Sequence, residues 1–270
     1  MQHLISIITP TYNCERHIEE CLESVASQNL SKKVQHYIID GGSNDQTIEI
    51  VKKYDDVIYV SEKDEGQSDA FNKGIKLANS DWIVILDGDD IMMPGSLEAY
   101  IKMTKKNPDI VYGHSSFIDY ESNILRNTMS INYHKPFVMY DLFIPPSSGL
   151  MFRSKLLKEN MFNTKHHYNM DTEWFLRMNQ PLKSSLIRMV TTGFRVWTGS
   201  KTYSLTSESN ELPKQIIEER NMLLHYKNDF KVKISKFRIL RIAYKYLVKN
   251  YFYLLKLKEL IYFKLKKRNF

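Results

Sequence analysis

At 270 residues and 43% hydrophobic content, the chain suits one large α/β domain, or one domain with an appendage. Two cysteines, Cys14 and Cys21, lie seven residues apart on a predicted helix, a spacing that excludes both a zinc site and a disulfide and fits a reducing compartment. The net charge of +7 is unevenly placed: residues 231–270 carry 13 Lys or Arg against the single acid Glu259, a net +12, which leaves the first 230 residues at −5. The amino-terminal MQHLISIITP enters a strand without the pattern of a secretory signal, and no run of 18 apolar residues predicts a spanning helix.

In chain order, LISIIT (4–9) predicts a strand, and Asn13 can cap a helix running to about Gln28 with Ile18, Cys21, Leu22 and Val25 inward. HYIID (36–40) is a second strand, followed by a GGSND turn and a short helix that Asp45 can cap. VIYVS (57–61) is a third strand, residues 66–78 form a helix, and WIVIL (82–86) is a fourth strand buried on both faces. Pro94 suits the first position of the next helix, which ends near Asn107–Pro108. Strands and helices alternating at this spacing predict a mainly parallel central sheet flanked by helices.

After Asp109 the pattern changes. DIVYGHSSFIDY and NILRNTMS predict a hairpin around Glu121–Asn123. GLMF (149–152) predicts a short strand, Asp171–Met178 a helix, residues 185–197 one or two strands, and the chain from Leu212 onward a helical extension. The resulting division is a catalytic domain over 1–210, with halves at 1–108 and 109–210, and a basic amphipathic extension over 211–270.

The strand ends carry the chemistry. Strand four ends in Asp87, Asp89 and Asp90, clustered acids that are costly unless a positive group sits beside them. An all-oxygen ligand set suits Mg²⁺ or Mn²⁺, which commonly holds a phosphate-bearing substrate; a polar Asp-Gly turn is the plain alternative. The other strands end in Thr9–Asn13, in Asp40–Ser43 and near Glu62, Asp64 and Gly66. If the strands are parallel, all four endings fall on one edge, where ligands of open α/β sheets bind.

The runs SIITPTYN, IIDGGSNDQT, EKDEGQSDAFNKGI and ILDGDD, in that order, closely resemble family 2 of the glycosyltransferases, over roughly residues 3–200. The resemblance implies a GT-A fold and transfer of a sugar from a nucleotide-diphosphate donor with inversion. It implies that Thr9, Pro10, Tyr12 and Glu15 border the nucleoside and that Asp40 accepts a hydrogen bond from the base. Asp64, Asp69, Asn72, Asp87 and Gly88 would lie along the donor pocket, with Asp87 and Asp89 as the metal pair and Asp90 on a sugar hydroxyl or supporting the turn. In NMDTEWFLRM the family pattern points to Asp171 as the base, with Glu173 the competing candidate and an N-cap the structural alternative; Met170 stands where a common version has a second acid. Ser147, Ser148, Arg153, Glu173 and Trp174 fall on the acceptor side of the resemblance. In FRVWTGSKT, Trp197 stands where the family often has His, and Arg195, Ser200 and Lys201 are candidates to face the diphosphate.

In the tail, Phe237, Leu240, Tyr244, Leu247, Val248, Tyr251 and Leu255 recur at helical spacing, with Arg241, Lys245, Lys249 and Lys256 on another face. This pattern suits a helix in the interface of an anionic membrane, consistent with a lipid-linked or saccharide acceptor and a cytoplasmic enzyme peripheral to the plasma membrane. Packing on the chain's own domain or on a second copy, as a homodimer, is the other reading. A nucleic acid partner is not expected. A nucleotidyltransferase would need an early Gly-rich loop with Arg and Lys, which TPTYNCE lacks, and a non-catalytic nucleotide-sugar binder would be expected to have lost part of the acid set.

Overall fold

A computed structural model describes residues 3–198, 200, 214–234 and 238–267. The first half runs β1 (Ile5–Thr11), α1 (Ile18–Ala26), β2 (Val34–Asp40), α2 (Thr47–Val51), β3 (Val57–Ser61), α3 (Gln67–Leu77), β4 (Trp82–Ile85), β5 (Ile91–Met92) and α4 (Ser96–Thr104). The second half adds β6 (Ile110–Ile118), β7 (Ile124–Thr128), α5 (Lys135–Met139), β8 (Leu150–Arg153), α6 (Ser154–Glu159), α7 (Met170–Arg177) and β9 (Ser184–Arg195). Two helices follow, α8 (Lys214–Ile234) and α9 (Arg238–Lys267). The expected boundary near residue 210 lies outside the described residues.

The strands form one sheet in the order β3-β2-β1-β4-β8-β6-β9-β5, with β7 paired to β6. β3, β2, β1 and β4 are parallel, so their carboxyl ends share an edge. Beyond β4 the sheet is mixed: β8 runs antiparallel to β4 and to β6, and β9 runs parallel to β6 with two register shifts. Alternation along the buried strands feeds two cores. Ile5, Ile7, Trp82 and Val84 pack with α1 and α4, through Ile18, Leu22, Leu97 and Tyr100. Ile8, Ile83 and Ile85 face the opposite layer, where Phe71 and Ile75 of α3 meet Leu157, Trp174 and Phe175 of α6 and α7.

Three local departures from the sequence reading have clear causes. Asn13 does not cap α1, which begins at Ile18; it takes φ 49° and bridges two loop tips, receiving the Asn44 N–H on Oδ1 at 2.9 Å. Pro94 does not open α4 either. Ile91 and Met92 are drawn into the sheet against Gly193 and Thr192, and the chain turns through Gly95 at φ 77° before the helix starts at Ser96. The short helices α5 and α6 have too few residues for their periodicity to stand out in sequence.

The last helix has two apolar faces. Val248 is buried and Tyr244, Phe252 and Leu255 are partly so, packed on Ile131 and Phe137. Tyr246, Leu247, Tyr251, Tyr253, Leu254, Leu257 and Leu260 are exposed. The expected single stripe is therefore split, with Tyr244, Val248 and Leu255 inward, Leu247 outward, and Tyr251 half-exposed at the boundary with its ring against Phe137 and His134. Lys256 leaves the basic face to donate to the Met129 carbonyl over the Phe143 ring, while Lys245 and Lys249 stay exposed. Phe237, and the side chains of Leu240 and Arg241, lie outside the described residues. Among the described residues no helix is long and apolar enough to cross a membrane.

Between β1 and β2, His36 is buried against Thr9, with Nε2 and Oγ1 2.8 Å apart, and burial pushes its pKa down from 6.5 to about 3. The unfolded chain therefore takes up this proton first. Stability from this group is complete above the unfolded value and is lost as pH falls from 6.5 toward 3. We expect His36 to remove about 2 kcal/mol of stability between roughly pH 8 and pH 5, measured by urea unfolding. His36→Gln should flatten that part of the pH profile, and an unchanged slope would contradict the assignment.

Candidate active site

The shared edge of β1, β2 and β4 opens into a cleft of about 780 Å³. It is lined by Pro10, Tyr12 and Gly41, by Asp64 and Gln67 at the approach to α3, and by Asp87, Gly88 and Asp89 after β4. His167, Tyr168, Met170 and Asp171 also line it, as do Trp197 and Ser200. Tyr12 is 63% exposed, leaving a ring face open to a planar ligand.

The three acids after β4 have separate environments. Asp87 receives the Gln67 side-chain N–H on Oδ1 at 2.6 Å, and Asp89 receives the Trp197 indole N–H on Oδ2 at 3.1 Å. Asp90 is buried beneath them. Burial first, then the negative charges of Asp89 and Asp87, hold its pKa well above the ordinary carboxylate range, and it accepts the Arg195 backbone N–H at 2.7 Å. Asp90 thus supports the turn and does not line the cleft. Gly88 is required by space, since a Cβ there would lie 2.8 Å from Thr11 Cγ2 and 3.0 Å from the Pro10 carbonyl. Among the described residues no three His, Cys, Asp or Glu side chains form a complete metal cage. The donor set on offer is the Asp87–Asp89 pair, which suits a hard divalent cation that takes its remaining ligands from water and phosphate.

Arg195, read from sequence as facing a diphosphate, borders the cleft, but its guanidinium is engaged inside the protein. It donates to the carbonyls of Asp89, Asp119 and Tyr120, to Ser122 Oγ, and to Glu20 Oε2 at 2.6 Å. It is 1% exposed and ties the β6–β7 turn to the acid loop. Trp197 stacks edge-on with His17 and Tyr120 beside it. Lys201 lies outside the described residues.

Several expected donor residues form the frame behind the cleft. Asp40, read as the acceptor for a base, is wholly buried. Its two oxygens receive the N–H groups of Gly42 and Ser43 and the hydroxyls of Thr11, Ser43 and Ser61. Asp64 stands in front of it. A Cβ on Gly41 would lie 2.6 Å from Asp64 Oδ2, so glycine at 41 leaves room for the Asp64 carboxylate in the cleft. Thr9 is bound to His36, and Glu15 accepts the Gln46 N–H at 2.9 Å. Asp69 accepts the Glu65 N–H and pairs with Lys73, and Asn72 brackets the backbone of Phe162 with both its amide atoms.

On the acceptor side the structure separates the candidates. Asp171 lines the cleft at the start of α7. The N-cap is Asn169, so Asp171 is not spent on capping; its Oδ1 accepts the N–H and hydroxyl of Thr172, and burial raises its pKa. Glu173 points away, fully buried, with Arg177 Nε at 2.8 Å and the Tyr226 hydroxyl at 3.1 Å. Trp174 is a core residue whose indole N–H donates to the Asn160 carbonyl, and it meets Phe152 edge-on. Arg153 is also displaced. Because β8 runs antiparallel to β4, Arg153 pairs with Trp82 at the far end of the strand and stacks over that ring at 4.7 Å. Ser147 lines the cleft, while Ser148 is buried behind it, receiving the Asp87 N–H at 3.4 Å.

Gln67, His167, Tyr168 and Cys14 line the cleft without having been singled out for it from sequence. Gln67 had a usable signal, being the first helical residue after the Gly66 turn. Burial first, and then the nearby Asp89 charge, push the pKa of the Cys14 thiol up.

Comparison with known proteins agrees with this geometry. The glycosyl transferase family 2 model matches residues 6–179. An uncharacterised glycosyltransferase of Methanocaldococcus jannaschii is 30% identical over 187 residues, covering 64% of each chain. A poly(ribitol-phosphate) β-glucosyltransferase of Bacillus spizizenii is 28% identical over 191 residues, covering 68% of this chain and 30% of its own length. The chain thus spans less than two thirds of the length of either relative. Among solved structures, residues 1–349 of S. aureus TarS in complex with UDP-GlcNAc superimpose with a TM-score of 0.62 at 19% identity, over 83% of this chain and 66% of that one, a likeness of GT-A fold. With residues 6–179 of its 270 inside the family model and most of the cleft lining within that span, this chain belongs to glycosyl transferase family 2.

Proposed function

We propose that the chain transfers a sugar from a nucleoside-diphosphate donor, with UDP the favoured nucleotide, to a saccharide or lipid-linked acceptor, with inversion at the anomeric carbon. One observation carries this reading: Tyr12, Asp64, the Asp87–Asp89 pair and Asp171 line a single cleft. The S. aureus TarS structures with UDP and UDP-GlcNAc support the choice of nucleotide. The Tyr12 ring stacks on the base, and the Asp64 carboxylate accepts a base N–H. Asp87 and Asp89 hold Mn²⁺ or Mg²⁺, which when bound offsets the charge of the diphosphate leaving group.

Asp171 is the base. As the acceptor hydroxyl oxygen bonds to the anomeric carbon, its proton passes to an Asp171 carboxylate oxygen, and the bond from that carbon to the diphosphate oxygen breaks with its electrons leaving on the nucleotide. Burial raises the Asp171 pKa and makes the carboxylate a stronger base than an exposed one. Only the deprotonated form accepts the proton, so transfer rises with pH through that raised pKa.

Asp171→Asn is expected to retain UDP binding in calorimetry and to lose about 10²-fold or more of transfer. Asp89→Asn should weaken Mn²⁺-dependent UDP binding while the fold survives. Transfer by Asp171→Asn within about tenfold of wild type moves the base elsewhere. Undiminished wild-type turnover in excess chelator contradicts the metal assignment.

The outward face of α9 supports a peripheral position on an anionic membrane, at the inner face of the plasma membrane. Leu247, Leu254, Leu257 and three further exposed apolar residues, Tyr246, Tyr253 and Leu260, run along it, with Lys245 and Lys249 at its flank. The protein should sediment with phosphatidylglycerol vesicles far more than with phosphatidylcholine ones. Leu247→Glu with Leu254→Glu should reduce that binding about tenfold or more. A stable dimer that binds neither vesicle would instead assign the face to a second copy.

A further inference from the structure

The segment that leads to Asp171 is held by a carboxylate from far along the chain. Just before α7, the backbone N–H groups of His167, Tyr168 and Asn169 converge on Glu219 of α8. His167 donates to Oε1 at 2.9 Å, and Tyr168 and Asn169 donate to Oε2 at 3.0 and 3.1 Å. The Asn169 side chain adds a fourth donor at 3.3 Å. Successive N–H groups pointing at one spot form an anion-binding concavity, and this one sits at the positive end of a helix. Glu219 fills it from within the chain and is 1% exposed. A buried carboxylate is costly unless it is fully hydrogen-bonded, and four N–H donors meet that requirement.

The turn gripped in this way belongs to the cleft, since His167, Tyr168, Met170 and Asp171 all line it. Its other side is anchored on α3. The Ser68 hydroxyl donates to the His166 carbonyl at 2.8 Å, and Gly66 leaves room for the His167 ring, whose Nδ1 would lie 2.8 Å from a Cβ there. A second contact from α8 reaches the same first turn of α7, where the Tyr226 hydroxyl donates to Glu173. Glu219 does not line the cleft. It acts on the cleft only through the position of the turn.

We infer that Glu219 is a positioning residue: its carboxylate fixes the His167–Asn169 turn, and with it the placement of Asp171 in the cleft. The carboxy-terminal helical segment is then a working part of the acceptor half. The kinetic consequence rests on the sugar-transfer reading above; the mechanical one does not.

The test uses the full chain with Glu219→Gln, Glu219→Ala and Glu219→Asp. Glu219→Gln keeps the shape but presents an amide where the N–H groups need an anion. Hydrogen exchange of peptides spanning 166–172 should accelerate about tenfold or more in the Gln and Ala variants, with β1, β2 and β4 protected as in wild type. Transfer from UDP-GlcNAc should show kcat lowered about tenfold or more at unchanged donor KM, because a small misplacement of the base costs rate and not donor binding. Acetate should fit the space left in Glu219→Ala and restore both protection and turnover, where chloride at equal ionic strength does not. Glu219→Asp should be partly restored without acetate. The inference is overturned if exchange over 166–172 stays at the wild-type rate in Glu219→Gln. It is equally overturned if protection falls throughout the sheet and UDP affinity drops in step with kcat, with no response to acetate. If the wild type turns over no nucleotide sugar, the transfer reading fails by itself, and the exchange and acetate measurements still decide the role of Glu219.

Discussion

Three carboxylates within four residues at the end of one buried strand cannot all stay charged at close quarters without a positive partner. The chain divides the problem. Asp90 is buried and held toward its neutral form, while the buried cation nearest the loop, Arg195, is committed to Glu20 and to the Asp89, Asp119 and Tyr120 carbonyls. Asp87 and Asp89 are left facing the cleft, where the Gln67 amide and the Trp197 indole donate to them. A negative rim of this kind repels a diphosphate on its own. It attracts one when a divalent cation lies between them, and this requirement links the acid loop to the proposed chemistry.

The second constraint is that loop tips carry the chemistry yet must stand still. Buried side chains acting on backbone provide the rigidity. Asp40 gathers the 41–43 turn, Asn13 and Glu15 pin the first loop to the second, and Asn72 and Ser68 of α3 reach across to Phe162 and His166. The 166–171 segment is thereby fixed from α3 on one side and from α8 on the other, by residues about 150 positions apart in the chain. Preorganisation of this type lets a cleft hold a donor and an acceptor at reacting distance without ordering its own loops on each turnover.

The nucleotide-side strands were legible in the sequence because each is a short run of Ile and Val bounded by polar turns, and their parallel order followed from the intervening helices. The acid cluster was legible for the same reason, as an abrupt end to an apolar run. Roles that depended on orientation were not. Arg153 follows an apolar strand just as the acids do, but β8 runs the other way and carries it to the far edge. Asp40 and Asp64 both sit at strand ends, and only the close approach at Gly41 shows which one reaches the cleft. In α7 a single helical turn sends Asp171 to the cleft and Glu173 to Arg177, a difference of about 200° that residue type does not encode. The tail read as one amphipathic stripe, because periodicity cannot tell a face packed on Phe137 from a face left open. Glu219 was invisible, its partners being backbone amides some fifty residues away.

The central claim is that one rim joins the base, the cation and the diphosphate. A crystal structure with UDP and Mn²⁺ tests it most directly. The account predicts uracil between Tyr12 and Asp64, the metal on Asp89 and Asp87, and the β-phosphate opening toward Asp171. Nucleotide bound away from this cleft, or Mn²⁺ held without either aspartate, would contradict it.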